Sequence, residues 1–171
     1  WPLVRVRGEV AIIGLSTSLA TPWFTAYGRL GEVQLQRLRS VLADPRLAGK
    51  VRLVAIHHPP TGKYAASRIR GLKDRAEFAA VLADVGADLV IHGHEHRDLR
   101  QELPGPAGRA IPVLGVQSGT YGASDPSRTA RYRIFDIEDG RVVGHHLRIW
   151  HRDRKCYAVD ADPVPKALAS S

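Results

Sequence analysis

Two clusters of histidines are the residues in this sequence most able to do chemistry. His57 and His58 follow an apolar run, and His94 and His96 follow a second one in the pattern H-x-H. Imidazole is the commonest metal ligand in proteins. In α/β sheets, binding sites gather outside the carboxyl ends of the strands. We therefore expect His57, His94 and His96 to share a site for one or two metal ions.

Strand geometry refines this expectation. Residues two apart on an extended strand point to the same side, with Cα atoms roughly 6.5–7 Å apart. His94 and His96 can therefore converge, whereas Glu95 is expected to face the other way and to be solvated. His92 is expected to point to the same side as His94 and His96. It lies inside the strand, however, which favours a packing role. An alternative for His57 and His58 is a strand end that is simply solvated.

Apolar strands and helical patterns alternate along the first half of the chain, which favours a layered α/β sheet. Helices are predicted at Gly31–Leu42 and Leu72–Val85, where apolar residues recur every three or four positions. Strands are predicted at Leu3–Arg7, Val10–Leu15, Lys50–His57, Asp88–Ile91, Ile111–Val116, Arg131–Ile137 and Val142–Trp150. Asp139-Gly140 predicts a hairpin turn between the last two.

Composition excludes several classes of protein. The 171 residues carry 25 Lys and Arg against 17 Asp and Glu, a formal net charge of +8. No apolar run approaches the roughly 20 residues of a membrane-spanning helix, so no membrane partner is expected. The single cysteine, Cys156, fits a reducing compartment, and the predicted location is cytoplasmic. The sequence does not decide whether the protein forms a homo-oligomer.

The basic residues suggest an anionic ligand. Arg68 and Arg70 follow the loop after His57, where they could steer a phosphate-ester substrate into the histidine site. Nucleic acid is the alternative partner for a basic chain. It is not expected, because the sequence has no recognised DNA- or RNA-binding motif.

The histidine motifs resemble those of a known family. The run Val54-Ala55-Ile56-His57-His58-Pro59-Pro60 and the later Gly93-His94-Glu95-His96 are similar to the calcineurin-like metallophosphoesterases, especially bacterial phosphodiesterase-type enzymes. The similarity covers roughly residues 3–120. It implies a four-layer α/β/β/α sandwich with two metals at the strand ends. It also implies that His57 and His94 hold one metal and that His96 helps to hold the other.

Three further ligand blocks of that family, D-x-H, G-D-x-x-D and G-N-H-D/E, are absent, and the chain contains no Asn. The expected fold is therefore α/β, a partial four-layer α/β/β/α sandwich with its N-terminal half missing. Residues 1–150 would be the C-terminal part of the domain and residues 151–171 a tail. Because the chain also lacks Met, we predict that the missing blocks lie upstream of Trp1, within about 80–130 residues.

The resemblance implies a hydrolase that cleaves phosphoric esters, chiefly phosphodiesters, through a binuclear site of Mn, Fe or Zn. His58 is the candidate catalytic residue, acting from beside the ligands. The 171-residue chain alone is expected to be inactive, because three neutral imidazoles supply no negative charge to two dications. The alternative is an inactive fragment or a metal- or phosphate-binding module.

Overall fold

A six-stranded mixed sheet forms the centre of the computed structural model, which describes residues 1–121 and 129–159. Its strands are β1 (Leu3–Arg7), β2 (Val10–Gly14), β3 (Val51–Ile56), β4 (Leu89–His92), β5 (Leu99–Pro104) and β6 (Ala110–Gly115). They lie in the order β1-β2-β3-β4-β6-β5. The four inner strands are parallel, and β1 and β5 are antiparallel edges. The carboxyl ends of β3 and β4 therefore meet at one edge of the sheet.

Two helices of 11 residues, α1 (Glu32–Leu42) and α3 (Arg75–Val85), cover one face of this sheet. The chain also forms the single turn α2 (Gly62–Ala65) and short 3-10 turns at Pro45–Leu47 and Pro106–Gly108. Leu35, Leu38 and Leu42 of α1 are buried at helical spacing against the sheet. In the part of the chain that the structure describes, no helix is long and apolar enough to cross a membrane.

A buried carboxylate at the start of α3 holds the segment that leads into α1. Asp74 occupies the N-cap position of α3, but its side chain does not cap that helix. Both of its oxygens accept a hydrogen bond from the backbone N–H of Leu30, at 3.1 and 2.9 Å, and Oδ2 also accepts the N–H of Gly31 at 2.7 Å. Asp74 therefore joins the segment that leads into α1 to the start of α3.

The C-terminal strands form a second, antiparallel sheet. β7 (Arg131–Glu138), β8 (Arg141–His151) and β9 (Cys156–Val159) pair in that order. The predicted turn at Asp139-Gly140 is confirmed, since both residues have positive φ, 50° and 70°, as a type I′ hairpin requires. Phe135 and Val142 pack on the face of the first sheet that the helices leave open.

The predicted α/β fold, a partial four-layer α/β/β/α sandwich, is wrong. The described residues are mostly β, with nine strands in two sheets and three α-helices. Helices cover only one face of the larger sheet because only the crossovers before β3 and before β4 contain a helix longer than one turn. The later strands are joined by turns and loops, which add strands rather than a further helical layer.

Two strands were not predicted. β5 is a half-exposed edge strand with a mixed sequence, Leu-Arg-Gln-Glu-Leu-Pro, and it gives a weak periodic signal. β9 lies in the range predicted as a tail and pairs with β8. The division at residues 150 and 151 stays a prediction, and residues 160–171 lie outside the described residues.

Candidate functional site

The histidine clusters meet where two neighbouring parallel strands end. His57 follows β3 directly, and His94 lies two residues beyond β4. The strands are in register, with Ile56 opposite His92, and the N–H of Gly93 donates to the carbonyl of His57 at 3.1 Å. This register brings the two chain segments out of the sheet side by side, as the sequence predicts.

His57 and His94 have the separation of two ligands of one metal ion. Nε2 of His57 lies 3.1 Å from Nδ1 of His94. Two nitrogens that each lie roughly 2.0–2.1 Å from one metal are roughly 2.9–3.4 Å apart, depending on the coordination angle. The same 3.1 Å is the length of an N–H···N hydrogen bond between the two rings. The other ring nitrogen of His94, Nε2, is buried and has no hydrogen-bond partner among the described residues. The separation of the two facing nitrogens is thus compatible both with a shared metal ion and with a direct hydrogen bond.

The surroundings favour the neutral form of both imidazoles. Burial first, and then the charges of His58, His57 and Arg70, lower the pKa of His94 to about 4. The pKa of His57 is lowered by burial first and then by the charges of His58 and His96. A metal ion binds the neutral ring, so both residues remain available as ligands below the pH at which an exposed histidine gains a proton.

His58 is a buried, fully hydrogen-bonded neighbour of this pair. Its Nε2 lies 2.9 Å from the carbonyl of Ala26, and its Nδ1 lies 2.7 Å from the hydroxyl of Thr17. A carbonyl can only accept, so Nε2 carries a proton, and in the neutral ring Nδ1 then accepts from the hydroxyl of Thr17. The ring centroid lies 4.3 Å from that of His94. The alternative of a solvated His58 is wrong, and the geometry suits a residue that positions His94.

The backbone leaves strand geometry after His92, and this changes the position of Glu95. His94 and His96 have φ values of 68° and 51°, in the left-handed region. Strand alternation therefore no longer applies, and the expectation that Glu95 is solvated and faces away is wrong. Its Oε1 lies 3.8 Å from Nε2 of His94, and its side chain is only 10% exposed. Glu95 is an anionic group beside the histidine pair.

His96 does not join the close pair. Its ring is exposed, and its centroid lies 6.5 Å from that of Tyr121. Among residues 1–121 and 129–159, no group of three or more His, Cys, Asp or Glu side chains is arranged to hold a metal. The described residues thus supply two ligands at a suitable separation, and not the full binuclear ligand set that the family resemblance implies.

A cavity of about 870 Å³ opens beside the histidines. Four cationic and two anionic side chains lie on its wall, together with both motif histidines and an aromatic ring. The lining residues are Lys63, Tyr64, Arg70, His94, Glu95, His96, Arg97, Asp98, Leu99, Gln117 and Arg131. The excess of positive charge suits an anionic ligand. Arg70 thus lines the cavity beside His94.

Arg68 is placed differently. It is exposed and is not part of the cavity wall, while its carbonyl accepts a hydrogen bond from Nζ of Lys73 at 2.6 Å. The structure therefore brings Arg70, and not Arg68, to the histidines. Sequence reasoning missed Thr17, Tyr64 and Arg97 because none of them belongs to a recognisable spacing pattern.

Comparison with models of known protein families gives no match for this chain, and comparison with curated proteins gives none either. The resemblance to metallophosphoesterases therefore depends on the histidine motifs alone.

Proposed function

We propose that this chain contributes the histidine half of a metal-dependent phosphoesterase site. The observation that carries the proposal is the 3.1 Å separation of His57 Nε2 and His94 Nδ1 at the ends of two adjacent parallel strands. Divalent ions such as Mn, Fe or Zn, when bound, supply Lewis acidity and lower the pKa of water. His57 and His94 would hold one ion, and His96 would help to hold a second.

The charges around the histidines support an anionic ester as substrate. Arg70, Lys63 and Arg97 line the cavity and can pair with phosphoryl oxygens. His58, fixed by Thr17 and Ala26, keeps the ring of His94 in place. Glu95 supplies one negative charge beside His94.

A single carboxylate does not balance two dications, so further anionic ligands are needed for turnover. We therefore expect the 171-residue chain by itself to be a poor catalyst. A second candidate function, a metal- or phosphate-binding module, is favoured by the excess of cationic side chains on the cavity wall.

Metal binding tests the ligand pair. Isothermal titration of the chain with Zn²⁺ or Mn²⁺ should detect a site whose affinity falls at least about tenfold in His57→Ala and in His94→Ala. His146→Ala is the matched control, because His146 is an exposed histidine of the second sheet. Equal affinity in all four proteins would rule out this ligand pair.

Hydrolysis of bis(p-nitrophenyl) phosphate with Mn²⁺ separates enzyme from binding module. A protein that joins this chain to the three absent ligand blocks should release nitrophenol at about 1 per second or faster, and His94→Ala should abolish this. The 171-residue chain alone should be far slower. Metal binding without turnover in the joined protein would favour the binding module.

A further inference from the structure

The turn Pro22–Thr25, called the aromatic turn below, holds two large apolar side chains in water. Trp23 is 89% exposed and Phe24 is 97% exposed. The N–H of Thr25 donates to the carbonyl of Pro22 at 3.2 Å, and the Thr25 hydroxyl donates to the same carbonyl at 2.7 Å. The hydroxyl of Thr21 closes the turn by donating to the carbonyl of Thr25 at 3.0 Å.

The backbone of the aromatic turn is strained. Phe24 has a φ of 63° at the third position of the turn, where glycine or asparagine is usual. A bulky residue in the left-handed region is a rare outlier, and such strain clusters at functional sites. The hydrogen bonds thus maintain a costly conformation whose effect is to point two aromatic rings away from the core.

A basic segment, residues 61–73, lies against this turn and is called the basic loop below. The N–H of Ala26 donates to the carbonyl of Ile69 at 2.7 Å, and the amino group of Lys73 lies over the ring of Tyr27, 4.4 Å from its centroid. Ile69 is itself 53% exposed. An arginine stands on either side of it in the sequence, at positions 68 and 70, and both are exposed.

Residues 16–31 and 61–73 contain no Asp or Glu, and their five cationic residues are Arg29, Lys63, Arg68, Arg70 and Lys73. The neighbouring carboxylate of Asp74 is buried and accepts backbone N–H groups, whereas Glu95 and Asp98 lie on the cavity wall with Lys63 and Arg70. The surface therefore combines protruding apolar side chains with positive charge. Segments that lie on a membrane surface typically combine Trp and Phe side chains with neighbouring Lys and Arg.

We propose that the aromatic turn and the basic loop dock this protein on an anionic phospholipid bilayer. Trp23 and Phe24 enter the interfacial layer, Ile69 extends the apolar contact, and the flanking arginines pair with headgroup phosphates. The expectation of no membrane partner came from the lack of a spanning segment, and surface docking does not need one.

The shape of the turn favours a bilayer over nucleic acid. Proteins that bind single strands present aromatic rings along a basic groove, where successive bases stack. Here the two rings stand at the tip of a turn, and their near-complete exposure shows that no groove surrounds them. Arg70 also lines the histidine cavity, so docking brings the cavity close to the headgroup layer.

Vesicle co-sedimentation tests the proposal without reference to metal binding or hydrolysis. The chain should bind phosphatidylcholine vesicles containing about 30% phosphatidylglycerol more tightly than pure phosphatidylcholine vesicles. Binding should weaken as the salt rises from about 0.1 M to about 1 M. The double variant Trp23→Ser/Phe24→Ser should lower the partition coefficient at least tenfold, and Arg29→Gln/Arg68→Gln should reduce the preference for anionic vesicles.

Leu3→Ser is the matched control, because Leu3 is an exposed apolar residue on the edge strand β1. It should bind like the unmodified chain. Equal binding by the Trp23/Phe24 variant, or a loss of binding in Leu3→Ser instead, would overturn the assignment of the docking surface.

Tryptophan fluorescence identifies the inserted residue. In a Trp1→Phe/Trp150→Phe background only Trp23 remains as a reporter. Anionic vesicles should shift its emission to the blue, and brominated lipids should quench it. No shift on vesicles, or a Trp23-dependent affinity for a single-stranded oligonucleotide in place of vesicles, would refute the membrane partner. The proposed phosphoesterase site would be unaffected by either result.

Discussion

Neutral imidazoles are the main chemical feature of this chain at the scale of single residues. His94 is held below its ordinary pKa by burial and by neighbouring positive charge. The unfolded chain has no such environment and gains a proton at the ordinary value of 6.5. Folding is therefore linked to proton release over this range.

Stability should depend on pH between these two values. As the pH falls from 6.5 to about 4, the unfolded chain binds a proton at His94 that the folded chain does not, so the free energy of unfolding should decrease. Urea denaturation at a series of pH values should show a shallower dependence in His94→Gln than in the unmodified chain. His146→Gln is the control for an exposed histidine, and identical slopes in all three proteins would contradict the linkage.

Gly28 leaves room for His58. A Cβ at this position would lie 2.3 Å from Nδ1 of His58, whose ring is fixed by two hydrogen bonds. Gly28→Ala should lower the free energy of unfolding by roughly 1–3 kcal/mol and weaken metal binding through the ring of His94.

Thermal melting and metal titration of Gly28→Ala check this expectation together. Gly119→Ala is the matched control, because nothing lies within 4 Å of the Cβ it adds. A Gly28→Ala protein as stable as the control would show that His58 can move without cost.

At the scale of elements, the segment that leads into α1 depends on the carboxylate of Asp74. Asp74→Ala would leave the backbone N–H groups of Leu30 and Gly31 without their partner. We expect a loss of about 2–4 kcal/mol in the free energy of unfolding, measured by urea denaturation. Asp153→Ala, which removes an exposed carboxylate, should change stability by less than about 0.5 kcal/mol. Similar effects for the two variants would refute the role of Asp74.

The residues at which β3 and β4 end also determine where the candidate site forms. β3 and β4 stop at Ile56 and His92, and the left-handed residues that follow β4 turn the chain across the sheet edge. The apolar runs made both strand ends predictable. The turn was not predictable from Gly93-His94-Glu95-His96, because histidine adopts a positive φ only when the surrounding structure compensates.

At the scale of the whole molecule, Arg133 joins the two sheets. Its side chain is only 3% exposed and pairs with Asp98, which lines the cavity. It also contacts Nδ1 of His145 at 3.2 Å and the carbonyl of Gly115 at 3.4 Å. Arg133 thus connects the second sheet both to the first sheet and to the segment that follows the H-x-H motif.

Arg133→Met should destabilise the protein because it leaves Asp98 without its main partner. Breaking a fully buried pair costs about 3–5 kcal/mol, and the partial exposure of Asp98 should reduce the loss to about 2 kcal/mol. Adding Asp98→Asn to Arg133→Met should restore part of the lost free energy of unfolding, because it removes the unpaired charge. Arg141→Ala, at an exposed position, is the control, and no difference in melting temperature from this control would rule out the proposed link between the sheets.

The sequence by itself determined the local features of this protein. Apolar periodicity located α1, α3 and most of the strands. The histidines after the two apolar runs predicted that His57, His94 and His96 converge, and the structure brings together His57 and His94 but not His96. These features follow from neighbouring residues, so they can be inferred without a fold. The edge strand β5 and the short β9 escaped this reasoning because they acquire strand geometry by pairing with β6 and β8.

Only the tertiary structure decided how distant segments meet. The layering was mispredicted because alternating strands and helices do not specify which face of a sheet a later hairpin covers. The partners of His58 and Asp74 lie 32 to 44 residues away in the chain, so no local pattern indicates them. Glu95 reaches His94 only because the backbone abandons strand geometry. Contacts of this kind depend on the packing of the whole chain.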